Sequence, residues 1–215
     1  MTQGHIYCNA MVDPKIRFTD TRFEAVSASR TFRNIVTAFQ LNEKAVLDIG
    51  CSFGEHLAHF GHGSTGITIT PEDAAEGVRR GLDVRIGDAE QGLPIEKTYD
   101  AIYCSNLLEH IQAPHRFLTA IRSVLKPGGI LVLGVPVVPF PPILMRFRKF
   151  RGALAVSHIN FFTGDSLRLT AERAGWHVQE VRGFRLRNAW LDKLAFYFYP
   201  HLYVIAKPDP KNPEF

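Results

Sequence analysis

Short apolar runs alternate with stretches of helical period along most of this chain. "KAVLDIG" (44–50) is an apolar run closed by glycine, the pattern of a strand buried on both faces. Residues 65–69, "DVRI" (83–86), "YDAIYCS" (99–105) and "ILVLGV" (130–135) repeat it. Between them the spacing predicts helices over 52–61 and 72–80, and a third that follows Pro114 and carries Phe117, Leu118, Ile121 and Leu125. Pro71 suits the first turn of the second helix, and Glu72 and Asp73 suit its positive end. Upstream, Thr21 and Glu24 have capping-box spacing, so a helix is expected from there, with Phe32, Ile35, Val36 and Phe39 as its buried stripe. Strands and helices alternate about every 20 residues, which predicts right-handed βαβ units and a parallel sheet: an α/β fold.

The alternation stops after "LKPGG" (125–129), a turn, and the strand that follows it. Residues 136–165 are too rich in proline for another regular unit. Helix 165–174 then ends at Gly175, a natural C-cap, before two closing strands, "WHVQEVRGF" (176–184) and "LYVIAK" (202–207). The expected organisation is an N-terminal helical cap (1–42), one domain (43–207) with an insertion at 136–160, and a disordered tail (208–215).

Composition narrows the setting. Of 215 residues 46% are hydrophobic and 21% charged, a globular balance. The three cysteines (Cys8, Cys51, Cys104) form no CxxC pair, which favours a reducing cytoplasm. The N-terminus lacks the layout of a signal peptide. No uncharged apolar run reaches the ~18–20 residues of a membrane span. The longest candidate, 129–145, contains four prolines. Net charge is +4, yet residues 143–193 hold ten Lys/Arg against four Asp/Glu, so the basicity sits in the C-terminal third.

The candidate chemistry begins at "VLDIGCSFG" (46–54). Glycine at a strand end allows a sharp turn, and Gly54 allows a ligand to approach the backbone. GxGxxG would need glycines at 52 and 55, where Ser52 and Glu55 stand, so the pyrophosphate fingerprint of nicotinamide or flavin enzymes fails. The pattern hydrophobic–Asp–x–Gly–x–x–x–Gly instead resembles the first motif of class I S-adenosylmethionine-dependent methyltransferases. "GDAEQGLP" (87–94), "YDAIYCSNLLEHI" (99–111) and "LKPGGILVLGVP" (125–136) follow in that family's order and spacing. "SHINFFTGDSLRLTAERAGW" (157–176) looks like a segment of its small-molecule branch, type 11/23-like. The resemblance implies a Rossmann-like, doubly wound, seven-stranded, mostly parallel sheet with a reversed last strand and S-adenosyl-L-methionine as cofactor.

The resemblance also implies roles. Asp48, Gly50, Cys51, Ser52, Phe53 and Gly54 would surround the methionine part of the cofactor, Ser52 standing where the family usually has a glycine. Asp88 would accept from the adenine amino group and the Ala89 amide would answer a ring nitrogen. Ser105, Asn106 and Leu107 would floor the pocket, with His110 at its border. In "GITITPED" Thr68 stands at the position of the usual ribose-binding acid, as in cyclopropane-fatty-acid-synthase-like relatives. Thr68, Ile69 and Thr70 would then carry the ribose grip, with Glu72 or Asp73 returning a carboxylate. The plain rival is that the threonines are good strand residues. Cys51 reads as an apolar filler, since nothing near it in sequence suggests a lowered pKa.

Methyl transfer from a sulfonium is an in-line displacement, so orientation does much of the work, and a base is needed only when the acceptor must lose a proton. His110 and His158 are the candidates. No His/Cys group has metal-ligand spacing, so no metal is expected. Arg146, Arg148, Lys149 and Arg151, interleaved with Phe147 and Phe150, fit a lid, a contact with anionic or lipid-like material, a grip on an acidic substrate, or a solvated loop. The expected acceptor is a small molecule (metabolite, lipid or sugar intermediate) and the expected place cytoplasmic or peripheral to a membrane. No nucleic-acid partner is expected. The alternatives are an RNA- or protein-directed methyltransferase and a non-catalytic cofactor-binding relative.

Overall fold

Side chains along each central strand alternate between two cores. Leu47 and Ile49, Ile102 and Cys104, and Leu131, Leu133 and Val135 face one side, where they pack with Phe117, Leu118, Leu167 and Ala171. Val46, Ala101, Tyr103, Ile130 and Val132 face the other and meet Phe32, Ile35 and Phe184. Strands with apolar residues on both faces must be covered on both, so the sheet is doubly wound.

The computed structural model describes residues 14–139 and 141–211. Its strands are β1 (Val46–Ile49), β2 (Thr65–Thr68), β3 (Val84–Ile86), β4 (Tyr99–Ser105), β5 (Leu125–Pro136), β6 (Trp176–Arg182) and β7 (His201–Pro208). They form one sheet in the order β3-β2-β1-β4-β5-β7-β6. β1 pairs in parallel with β2 and with β4, and β7 runs antiparallel to both β5 and β6. The α/β, Rossmann-like sheet with a reversed last strand is therefore as expected. The helices are α1 (Pro14–Ala28), α2 (Arg30–Phe39), α3 (Pro71–Arg79), α4 (Pro114–Ala120), α5 (Gly164–Arg173) and α6 (Ala189–Leu194).

Several local expectations are corrected. The helix placed at Thr21 starts seven residues earlier, and the Thr21 hydroxyl donates to Arg17 O inside α1. The cap is Ser29, whose side chain accepts from the Phe32 amide and starts α2. Residues 52–61 form turns and one 3₁₀ turn, Leu57–His59, instead of an α-helix. Ser52 (φ +50°) and Gly54 (φ +86°) hold left-handed backbone there, which a right-handed helix cannot include. "LKPGG" lies within β5, with its pairing to β4 irregular between Tyr99 and Ala101. β7 runs to Pro208 and the Asp209 amide donates to Gly175 O, so the first residues of the expected tail are tied to the sheet. Residues 212–215, like Cys8, lie outside the described residues.

The segment between β6 and β7 carries no apolar period, and it is organised by one buried carboxylate. Asp192 Oδ2 accepts from the Phe184 amide (2.8 Å) and Arg182 Nε (3.1 Å). Its Oδ1 accepts from the Leu186 amide (2.9 Å) and the Tyr199 hydroxyl (2.7 Å). Burial alone would push this carboxyl's pKa up. The donors outweigh it and hold the pKa below the ordinary value.

Asp192→Ala leaves Arg182 buried and two amides unpaired, and is expected to cost about 3–5 kcal/mol in urea unfolding at pH 7. Because the folded pKa is depressed, the loss is full above the carboxyl's unfolded pKa and shrinks as pH falls through the folded one. A pH-independent difference would refute the assignment.

Candidate functional site

β1 is paired on both edges, and its two neighbours leave in opposite directions, β2 to one side and β4 to the other. Open α/β sheets bind ligands at the carboxyl ends of such a pair. The chain turns there at Gly50 (φ +80°), and the amides of Gly50 and Cys51 both donate to Ile67 O, which ties the loop to β2. Ser52 follows with φ +50°, a conformation that costs a side-chain-bearing residue about 1–2 kcal/mol. Its hydroxyl lies 3.2 Å from Asp73 Oδ2 on α3.

A cavity of about 300 Å³ opens at this edge. Ile49, Gly50 and Ser52 bound it from β1, and Ile67, Thr68, Ile69 and Asp73 from β2 and α3. Gly87, Asp88, Ala89 and Glu90 form a third wall, and Leu107, His110 and Ile111 a fourth. A groove of about 560 Å³ shares Asp88, Ala89 and Glu90 and continues toward α4. Among the described residues no Lys or Arg lines the smaller cavity. Its polar groups are acceptors and hydroxyls between apolar walls.

Eight of the residues expected at the cofactor line this cavity: Gly50, Ser52, Thr68, Ile69, Asp88, Ala89, Leu107 and His110. The others, Asp48, Cys51, Phe53, Gly54, Thr70, Ser105 and Asn106, do not line it. Asp48 and Cys51 are buried, and Phe53 packs edge-on against Phe18. Gly54 is hemmed by Leu82, where a Cβ would come within 2.7 Å. Thr70 occupies the N-cap position of α3 without a side-chain cap bond, and its amide donates to Thr68 Oγ1 (3.4 Å). Thr68 therefore holds the strand-to-helix turn as well as facing the cavity. Asp88 has two uses also, since its carboxylate accepts from the Glu90 amide and Gln91 Nε2. Asn106, at φ +56°, turns its side chain to His201 Nε2 (3.0 Å).

Two carboxyl groups under the loop escaped sequence reading in their arrangement. Asp48 and Glu55 are each 2% exposed, and each has one oxygen without a partner. Arg22 from α1 pairs with Glu55, which places the N-terminal helix against the site loop. Burial first and Glu55 second raise the pKa of Asp48 well above the ordinary value, against a bond from the Leu57 amide. Burial, then the two carboxylates, pushes the Cys51 thiol up, as expected of an unreactive filler.

The fold also brings together residues that lie 48 positions apart. The His110 and His158 rings meet edge to face at 4.8 Å. Beside them lies Glu109, 1% exposed, with neither carboxylate oxygen hydrogen-bonded and with its pKa raised by burial. His158 Nε2 and His110 Nε2 stand 3.9 and 4.0 Å from Glu109 Oε1. Spacing predicted no metal-ligating group; the fold nonetheless brings one candidate ligand atom from each of these three side chains within 4.8 Å of the others. Glu109 was overlooked because "LLEHI" reads as an apolar run with one charged interruption; that charge inside such a run is the available signal.

Sheet order, the reversed β7 and the carboxyl-edge cavity define a class I methyltransferase fold. Residues 21–181 match the family described as a methyltransferase domain, and the chain belongs to that S-adenosylmethionine-dependent family. It is 26% identical over 171 residues to the mitochondrial ubiquinone biosynthesis O-methyltransferase of Schizosaccharomyces pombe, covering 70% of this chain and 62% of that protein. The ubiquinone biosynthesis O-methyltransferase of Xanthomonas oryzae is 36% identical over 99 residues, 41% of each chain. The chain thus spans less than two thirds of the length of these curated relatives. Among solved structures, an S-adenosylmethionine-dependent methyltransferase from Clostridium acetobutylicum superposes with a TM-score of 0.67 over 92% of this chain and 100% of that one. At 11% identity that likeness is one of fold.

A buried acid whose folded pKa is raised favours the folded state most below its unfolded pKa and costs stability as pH rises through the folded value. Asp48→Asn is therefore expected to melt higher than the parent at pH 7, with the advantage shrinking toward pH 4. Equal differences at both pH values in calorimetric melts would show that Asp48 carries no such cost.

Proposed function

We propose that this chain transfers a methyl group from S-adenosylmethionine to a hydroxyl of a small molecule that has an apolar portion. The observation that carries the reading is the cavity at the carboxyl edge of β1 and β4, walled by acceptors and apolar side chains and free of lining cations. Such a lining suits the sulfonium and ammonium of S-adenosylmethionine; a pyrophosphate would find no positive group. Asp73, across the loop from Ser52, supplies the carboxylate that Thr68 lacks for ribose hydroxyls, and Asp88 and Ala89 would meet the adenine. When bound, the cofactor supplies an electrophilic methyl group. The chain's own part is to orient it, exclude water and accommodate the acceptor's proton, for which Glu109, His110 and His158 stand at the cavity's border.

The hydroxyl acceptor is supported by the O-methyltransferases among the relatives, and the apolar portion by the segment that ends at the histidines. In that segment Phe150 and Ala153 are buried, while Ile143, Phe147, Leu154, Val156, Ile159 and Phe161 are exposed among Arg146, Arg148, Lys149 and Arg151. Apolar and basic groups side by side suit an amphipathic acceptor presented at an anionic membrane surface. Among the described residues no helix is long and apolar enough to cross a membrane. A peripheral contact is the form of attachment proposed.

Isothermal titration with S-adenosylmethionine and S-adenosylhomocysteine tests the cofactor reading, and binding of neither would overturn it. Asp73→Ala is expected to weaken both about tenfold, about 1.4 kcal/mol. Thr70→Ala, at a residue that does not line the cavity, should leave affinity within about twofold. In flotation assays the chain should rise with vesicles containing phosphatidylserine and less with phosphatidylcholine alone, and Phe147→Ser with Val156→Ser should abolish the difference. Equal recovery on both lipids would remove the membrane contact.

A further inference from the structure

Glu109, His110 and His158 have the donor set and the preparation of a metal site. The three candidate ligand atoms lie within 4.8 Å of one another. Each histidine has its Nδ1 committed to a backbone carbonyl, His110 to Ser157 O (2.9 Å) and His158 to Ala153 O (3.1 Å). A carbonyl only accepts, so Nδ1 bears the proton in both rings. Each Nε2 is then a bare lone pair, the tautomer that metal-ligating histidines adopt when a carbonyl orients the ring from behind. Both Nε2 atoms turn toward the same Glu109 oxygen, and neutral imidazoles offer that carboxylate no hydrogen bond. The result is an almost fully buried carboxylate with no donor on either oxygen. Burying such a group without a partner is costly, and a cation is the partner that would satisfy it together with both lone pairs.

Resting on the methyltransferase reading for its role, we propose that Glu109 Oε1, His110 Nε2 and His158 Nε2 bind one divalent transition ion of the zinc class at the border of the cofactor cavity. Two imidazoles and a carboxylate suit such an ion, whereas an all-oxygen set would favour magnesium or calcium. Ligand bonds of about 2.0–2.2 Å require the three atoms to draw closer than they stand. Rotation of His110, the exposed member, allows this, because its side chain is 36% exposed against 10% for His158 and 1% for Glu109. Three protein ligands leave a further position for water or for an acceptor oxygen, whose hydroxyl proton the ion would make easier to lose. The insertion would then have a defined function at its end. Through Ala153 O and Ser157 O it sets the two rings, and the ion would fasten it to the loop after β4.

The test is a zinc titration of the full chain, stripped with EDTA and dialysed, in competition with a chromophoric chelator, followed by cobalt substitution. We expect one zinc per chain and visible cobalt bands of a low-coordinate nitrogen–oxygen site. Glu109→Gln and His158→Gln should each weaken zinc by at least ~100-fold, and His110→Gln should do the same while leaving the melting curve unchanged. His110 is exposed enough that its loss tests ligation without unfolding the chain. Substoichiometric zinc, or stoichiometric zinc indifferent to all three substitutions, overturns the site. Titration of S-adenosylhomocysteine with EDTA present separates the two readings: cofactor binding without zinc binding defeats this site alone, and zinc binding without cofactor binding defeats the methyltransferase role while keeping the ion.

Discussion

Everything at the functional edge depends on β1 being enclosed. Its four residues are buried, and both of its edges are paired, to β2 and to β4. A strand held on all sides can deliver its chain only through its end, and the neighbours diverge there because the connections run to opposite sides of the sheet. The cavity is the space left by that divergence. The turn at Gly50 and the shared acceptor Ile67 O keep the loop from collapsing into it. Asp48 within β1 is a cost accepted at the same place, a carboxyl group kept where apolar burial would be more stable.

Around that edge the chain gathers acidic groups, and among the described residues no Lys or Arg lines the smaller cavity. Asp48, Glu55, Asp73, Asp88 and Glu109 all gather near the loop, β2–α3 and β4 ends, with Arg22 reaching Glu55 from outside. The basic residues of the C-terminal third stand on the exposed segment after β5 or are used structurally, as Arg182 is by Asp192. One molecule thus carries a cavity that no Lys or Arg among the described residues lines and an exposed basic segment, joined where residues 153–158 bond the two histidines.

Legibility followed the range of the forces. The strands were readable because burial on two faces imposes continuous apolar runs, and α3 because Pro71, Glu72 and Asp73 mark its start locally. The helix expected after Gly50 failed because two left-handed residues, one of them a serine, interrupt it, and serine does not announce such a backbone. α6 and its flanks were missed because their organiser, Asp192, bonds residues six to ten positions away through geometry that no periodicity records. At the site, the order of the motifs was legible, but which of their residues face the cavity was not. Gly50 and Thr68 do, while Asp48 is buried within β1 and Asn106 bonds His201.

By itself the sequence determined the α/β class, the strand positions and the family, since hydrophobic period and motif order are properties of neighbouring residues. Only the tertiary structure decided that His158 meets Glu109 and His110, that Asp73 reaches Ser52, and that Arg22 closes on Glu55. These pairs are separated by up to about 50 residues. Their meeting depends on how strands cross over and loops return, and buried charge acquires its meaning only once the groups that surround it are in place.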